Sequence, residues 1–200
     1  MDNHLLWLEV INNTAPEGVL HTAMRHTARS LTAMVDHDFD LKNLRVETMS
    51  IGQLGLQADD PERETVGVYL LMGDDLPGEA ILILSLADAM YLADWLLEQR
   101  PGTTTHLNEL ECSALAEAGN QVLSSFLNAL SEFTGTPLRL SPPAVMVDML
   151  ATIFEAIAMS AGAATDELLI IETELVNIES DVSLQFWVLP ASDMEAVRVG

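Results

Sequence analysis

Two short apolar runs, Ala80-Ile-Leu-Ile-Leu84 and Leu168-Leu-Ile-Ile171, limit the architectures open to this chain more than any other feature. A strand with one wet face alternates apolar and polar residues. An unbroken apolar strand has to be covered on both faces, or heavily on one. The surrounding periodicity supplies the cover. Residues 15–37 predict a helix, with Thr14 as its cap, Pro16 in the first turn and an apolar stripe of Val19, Met24, Ala28, Leu31 and Val35. Residues 86–99 and 106–133 predict two more. Strands are predicted over 42–51, 65–72, 78–85, 136–140, 167–175 and 183–189, a short helix over 147–159, and a last helical start over 191–197. Gln53–Glu64 reads as a polar loop. The order helix-strand-strand-strand-helix occurs twice, over about 15–100 and 106–200, which predicts one domain built from two repeats. The expected fold class is α+β around one antiparallel sheet with two long helices.

Composition excludes whole classes of function. The formal net charge is −23, with 31 acids against eight Lys and Arg, and Lys42 is the lone lysine. Phosphate backbones demand cationic surface, so nucleic-acid binding is not expected. Such an acidic excess favours cationic partner surfaces, and a high-salt habitat is a second possible source of it. No apolar run approaches the ~20 residues that span a bilayer, and the N-terminus lacks the basic start of a signal peptide. Cys112 is the single cysteine, so a disulfide framework is not expected. The expectation is a cytoplasmic protein without a membrane partner.

The predicted long helix carries the chemistry. At about 100° per residue, Ser113, Glu117, Asn120 and Ser124 fall within roughly 60° of one another. Leu115, Val122, Phe126, Leu130 and Phe133 are expected on the opposite, core-facing side. A carboxylate and an amide thus stand between two small serines, where nothing bulky keeps a partner away. Glu-x-x-Asn on an outward helix face is common, so the spacing by itself equally fits two solvated polar residues.

The context narrows this. Ser113-x-x-x-Glu117-x-x-Asn120 lies within Glu111-Cys-Ser-Ala-Leu-Ala-Glu-Ala-Gly-Asn120. Downstream stand Ala129-Leu-Ser-Glu-Phe-Thr-Gly135, Leu140-Ser-Pro-Pro-Ala-Val-Met-Val-Asp148 and Leu168-Leu-Ile-Ile-Glu-Thr-Glu174. This resembles the second half of the CheC-type chemotaxis phosphatases, the CheC/CheX/FliY family related to the flagellar switch proteins. Their pattern is Asp or Ser, three residues, Glu, two residues, Asn. The resemblance is strong over about 107–190 and weaker over 18–100.

The resemblance implies a phosphatase acting on the aspartyl phosphate of a CheY-like receiver domain. Asn120 would orient the attacking water and Glu117 would pair with the receiver's lysine. Ser113 and Ser124 would line the contact. No cofactor of the chain's own is implied, since the receiver supplies Mg²⁺. Asp148 falls where the family presents an aspartate to the deamidase CheD; a turn or helix-start acid is the plain alternative. In the first repeat a gapless match puts Gly18 at the Glu position and His21 at the Asn position, which implies one working site. Glu9 and Asn12 also have the right spacing, but using them would put Pro16 inside a helix, at a cost of about 3 kcal/mol.

Other signals are weak. His4, His21, His26, His37 and His106 are scattered, and His21 and His26 lie about 140° apart on a helix, so a metal site is not expected. Ser113 and Ser124 have no neighbouring base in sequence, Cys112 reads as a small core residue, and the glycines form no phosphate loop. The rival to the enzyme is a non-catalytic scaffold or flagellar-switch-like module that binds a receiver or CheD.

Overall fold

The computed structural model describes residues 7, 9–11, 18–54, 60–73, 76–135, 137–161 and 167–191. The elements, in chain order, are α1 (Val19–Val35), β1 (Phe39–Ser50), a single turn α2 (Ile51–Leu54), β2 (Glu64–Met72), β3 (Gly78–Ser85) and α3 (Leu86–Leu96). They continue with α4 (Glu109–Thr134), β4 (Ala144–Met149), α5 (Leu150–Ala161), β5 (Glu167–Asn177) and β6 (Ser183–Pro190). The six strands form one sheet in the order β1-β5-β6-β3-β2-β4, with every neighbouring pair antiparallel. The fold class is α+β, as the apolar runs predict. Exchanging β1, β2 and β3 with β4, β5 and β6 reproduces the same order read backwards.

Alternation along the central strands explains why they are apolar throughout. Val66, Val68 and Leu70 of β2, with Ala80, Leu82 and Leu84 of β3, pack beneath α1, α3 and α4. Ile81 and Ile83 of β3 enter a second core with Leu150, Ile153, Phe154 and Ile157 at α5. β6 divides in the same way. Phe186 meets Phe126 of α4 edge to face at 5.2 Å, and its neighbour Trp187 stacks on Phe154 of α5, also at 5.2 Å. Each such fully buried large side chain contributes about 1.5–3 kcal/mol through the water it leaves, so both faces hold their helices firmly.

Several boundaries differ from the predicted ones. α1 begins at Val19, with Gly18 as its cap in an extended conformation (φ −72°, ψ 166°). Thr14 and Pro16 lie outside the described residues, as do 55–59 of the predicted polar loop and 192–197 of the last predicted helical start. The predicted helix over 147–159 is present as α5 from Leu150 onward, and its first three residues, 147–149, instead end strand β4. Ala144–Met149 is strand because it pairs residue for residue with Tyr69–Glu64 of β2, and tertiary pairing overrides weak local propensity. The predicted strand over 136–140 reduces to one bridge, Leu140 to Met72. Ser141 N–H still donates to Leu71 O at 2.9 Å. Pro142 and Pro143 have no N–H to continue the ladder, and regular pairing resumes only at Ala144. Phe133, expected in the buried stripe, is 45 % exposed in the last turn of α4.

Candidate functional site

α4 is held at its start, its middle and its flank. At the start, the Asn108 N–H donates to the Glu111 carboxylate at 2.9 Å in a capping box, which satisfies amides that the first helical turn leaves free. The lead-in loop is tied to the buried Asp94 of α3. Its carboxylate accepts the N–H groups of Gly102 (2.7 Å), Thr103 (3.0 Å) and Thr104 (2.9 Å). Burial works to raise the Asp94 pKa, but hydrogen bonding from Thr104, Gly102 and Thr103 outweighs it and holds the carboxyl below its ordinary value.

In the middle, Gly119 presses on the sheet. A Cβ there would stand 2.5 Å from Val68 Cγ1 and 3.2 Å from Val68 Cβ, closer than carbon atoms can approach. The missing side chain therefore sets how near α4 lies to β2, directly beside Asn120. On the flank, the Ser125 hydroxyl donates to the carbonyl of His26 on α1 at 3.2 Å.

This packing buries Leu115, Ala118, Gly119, Val122, Leu123, Phe126, Leu127 and Leu130. It turns the other face outward. Glu117 and Ser113 are exposed there, and Asn120 and Ser124 are half-buried. The Ser113 hydroxyl donates to the Glu109 carbonyl at 2.6 Å, and Gln121 Nε2 donates to Glu117 Oε1 at 3.4 Å. Among the described residues no group hydrogen-bonds the Asn120 amide. The stripe thus offers an outward carboxylate, an uncommitted donor-acceptor amide and two small hydroxyl residues on one rigid surface.

Asp148 is elsewhere. It is exposed on the edge strand β4, opposite Thr65, with its Oδ1 accepting from Met149 N–H at 2.7 Å. Thr65 and Asp148 share the α5 face of the sheet, since their neighbours Val66 and Val147 take the α4 face. The sheet therefore stands between Asp148 and the Glu117–Asn120 pair. Glu9 belongs to a separate helical segment before the Gly18 cap, and Asn12 lies outside the described residues. Among the described residues no three His, Cys, Asp or Glu side chains cluster as metal ligands, and no helix is long and apolar enough to cross a membrane.

Sequence reasoning missed two groups. One is Asp94, a fully buried acid near the end of α3. The other is a hydroxyl-carboxylate network, Tyr69–Ser160–Glu79, at the α5 face. Glu79 opening the apolar run of β3 was the available signal for the second.

Known proteins resemble the segment that carries this stripe. Residues 110–147, which contain all of α4 but its first residue and most of β4, match the model of the CheC-like family. The CheY-P phosphatase CheC of Bacillus subtilis is 22% identical over 172 residues, 84% of this chain and 82% of the relative. FliY of Thermotoga maritima superposes with a TM-score of 0.69 at 20% identity, covering 97% of this chain and 92% of FliY. A chain of the CheX–CheY–BeF3–Mg²⁺ complex of Borrelia burgdorferi superposes with a TM-score of 0.56 at 15% identity, covering 85% and 96%. The chain is thus similar to the CheC-like family over residues 110–147 and to CheC of Bacillus subtilis along most of its length, and it shares the fold of FliY and of the CheX–CheY complex chain.

Proposed function

We propose that this protein is a cytoplasmic phosphatase of a phosphorylated receiver domain, with one active site at Glu117 and Asn120. The observation that carries the reading is the placement of an exposed Glu117 and a half-buried Asn120 on one outward face of α4, inside the segment that matches the CheC-like family. The B. subtilis relative is a CheY-P phosphatase, and the B. burgdorferi structure holds a CheX with CheY and Mg²⁺. Both support a receiver as the substrate.

The chemistry asks little of the chain. Hydrolysis of an aspartyl phosphate joins a water oxygen to phosphorus and breaks the bond from phosphorus to the aspartate oxygen, releasing phosphate and a carboxylate. Positioning and charge neutralisation dominate such a transfer. The receiver's Mg²⁺ would neutralise the phosphoryl oxygens. Asn120 accepts a hydrogen bond from the water through its carbonyl and donates one through its NH₂, in a fixed plane and without charge to repel phosphate. Glu117 pairs with the receiver's active-site lysine and sets the docking register. Ser113 and Ser124 leave room for the approach. A protein with a net charge of −23 is a poor receptor for a free phosphate ester, and a carrier domain with its own cations removes that obstacle.

The test is the decay of a phospho-receiver with wild type and with Asn120→Ala. Acceleration by wild type alone supports the assignment; equal acceleration by both removes Asn120 from the chemistry. The second reading is a module that shares this fold and binds a receiver without hydrolysing its phosphate. Binding without acceleration by wild type would select it. Asp148 we assign to CheD docking on the separate β4 surface, and unchanged CheD binding by Asp148→Lys would remove it from that contact.

A further inference from the structure

Acids are spread through this chain, 31 in 200 residues, yet none occurs over 18–35 or over 118–131. These stretches are the whole of α1 and the part of α4 that follows Glu117, and they meet. Both helices pack on one face of the sheet, and the Ser125 hydroxyl reaches the His26 carbonyl at 3.2 Å. Their relative direction follows from the topology. β3 and β6, which the exchange of the two repeats swaps, are antiparallel neighbours at the centre of the sheet. With both helices on the same face, that exchange turns about the sheet normal, so α1 and α4 run antiparallel.

The outward residues of α1 are Arg25, His26, Arg29 and Ala33, within about 100° of one another. Two of the chain's eight Lys and Arg therefore stand on one helix face with no acid near them in sequence. Arg25 donates to the Thr22 hydroxyl at 3.1 Å. Arg29 forms no ion pair among the described residues, unlike Arg45, which meets Glu172 at 3.6 Å. Measured from the Ser125–His26 contact at 1.5 Å per residue, Asn120 lies about 7.5 Å along α4 and Arg29 about 4.5 Å along α1, in the same direction. Packed helix axes stand about 8–10 Å apart. A stable interface covers about 800 Å² on each partner, a patch about 28 Å across. A domain centred on Glu117 and Asn120 has to cover Arg29 as well.

We propose that Arg29, with Arg25 beside it, is the cationic contact of the receiver-docking surface and faces the carboxylates around the phosphorylated aspartate; this rests on the receiver reading above. Mg²⁺ beside a phosphate is held by one or two carboxylates, so a receiver that carries both presents an anionic rim. A protein of net charge −23 repels such a rim unless the contact is locally free of acids. Glu117 meets the receiver's lysine and Arg29 meets the rim, and opposite charges on neighbouring helices select one docking orientation.

The test measures binding of a CheY-type receiver, activated with beryllofluoride and Mg²⁺, by surface plasmon resonance at about 0.02 M and about 0.5 M salt. It compares wild type, Arg29→Glu, Arg29→Lys and Arg45→Glu. Arg45 is the charge control, because its register through Glu172 and Trp187 puts it on the α5 face. Arg29→Glu is expected to weaken binding at least about tenfold at the lower salt, mainly through slower association, and less at the higher. Arg29→Lys and Arg45→Glu should stay close to wild type. Unchanged binding by Arg29→Glu overturns the proposal, and so does an equal loss with Arg45→Glu, which would make net charge the cause. Self-association that Arg29→Glu abolishes, with receiver binding intact, gives the face to a second acidic copy and also overturns it. Binding of the activated receiver needs no hydrolysis. If wild type binds without hastening phospho-receiver decay, and Arg29→Glu still weakens that binding, the phosphatase reading fails and the docking assignment stands. No binding of the activated receiver by wild type overturns both.

Discussion

α1 and α4 end alike and begin differently. Each closes on a residue in the left-handed conformation, Asp36 at φ 56° and Gly135 at φ 68°. In both, that residue's N–H returns to the carbonyl four positions earlier, Thr32 at 2.9 Å and Ser131 at 2.8 Å. Counting back equally from these ends brings Gly18 level with Glu117 and His21 level with Asn120. Glu117 lies two turns inside a 26-residue helix, whereas Gly18 is the extended cap of a 17-residue one. The comparison teaches that the helix must continue past that point before a Glu-x-x-Asn pair can share a face. The first repeat thus differs from the second in where its helix starts as well as in the residues at these two positions.

The largest expected difference is catalytic. Asn120→Ala should reduce stimulated phospho-receiver decay by about 10² or more, by analogy with removing one positioned polar group, while His21→Ala leaves it unchanged. Equal effects in that decay assay would break the asymmetry. Grafting the pair into the first repeat sharpens it: Gly18→Glu with His21→Asn, in the Asn120→Ala background, should restore no measurable activity, because residue 18 precedes the helix. Recovered turnover would show that sequence and not helix length is the obstacle.

Smaller effects concern what seats α4. Gly119→Ala puts a methyl 2.5 Å from Val68 Cγ1, and overpacking of this kind costs about 1–3 kcal/mol; thermal unfolding of the variant should show a lower Tm. Asp94→Asn loses an acceptor for the Gly102, Thr103 and Thr104 amides, so it should lower Tm at pH 6. The effect depends on pH with a definite sign. The Asp94 carboxyl is held below its ordinary value of 3.8 in the fold, so its contribution is present above that pH and is lost as pH falls through the lower folded value. The Tm gap between wild type and Asp94→Asn should narrow below about pH 4, and a gap constant from pH 6 to pH 2.5 would show that the charge is not what the loop uses.

Much of this was legible along the chain. The apolar runs predict buried central strands, and β2, β3, β5 and β6 fall within a few residues of their predicted limits. The 3.6-residue period of α4 puts Ser113, Glu117, Asn120 and Ser124 on one side, and in the fold that side faces outward. Such patterns are local. A side chain's direction on a regular helix or strand follows from its own backbone and near neighbours.

What the tertiary structure alone decided depends on residues far apart in sequence. Residues 147–149 extend a strand instead of starting a helix because Glu64–Tyr69 offers an edge for Ala144–Met149, and this pairing carries Asp148 to the face of the sheet away from Glu117 and Asn120. Asp94 becomes an anchor only when the loop at 102–104 folds back over it. The hydrogen bond from Ser160 to Glu79 exists because α5 brings Ser160 against a strand 81 residues earlier. Periodicity fixes which way a side chain points relative to its own element, but not which element it will meet. That is set by the packing of both sheet faces at once, where burial free energy is summed over the whole molecule.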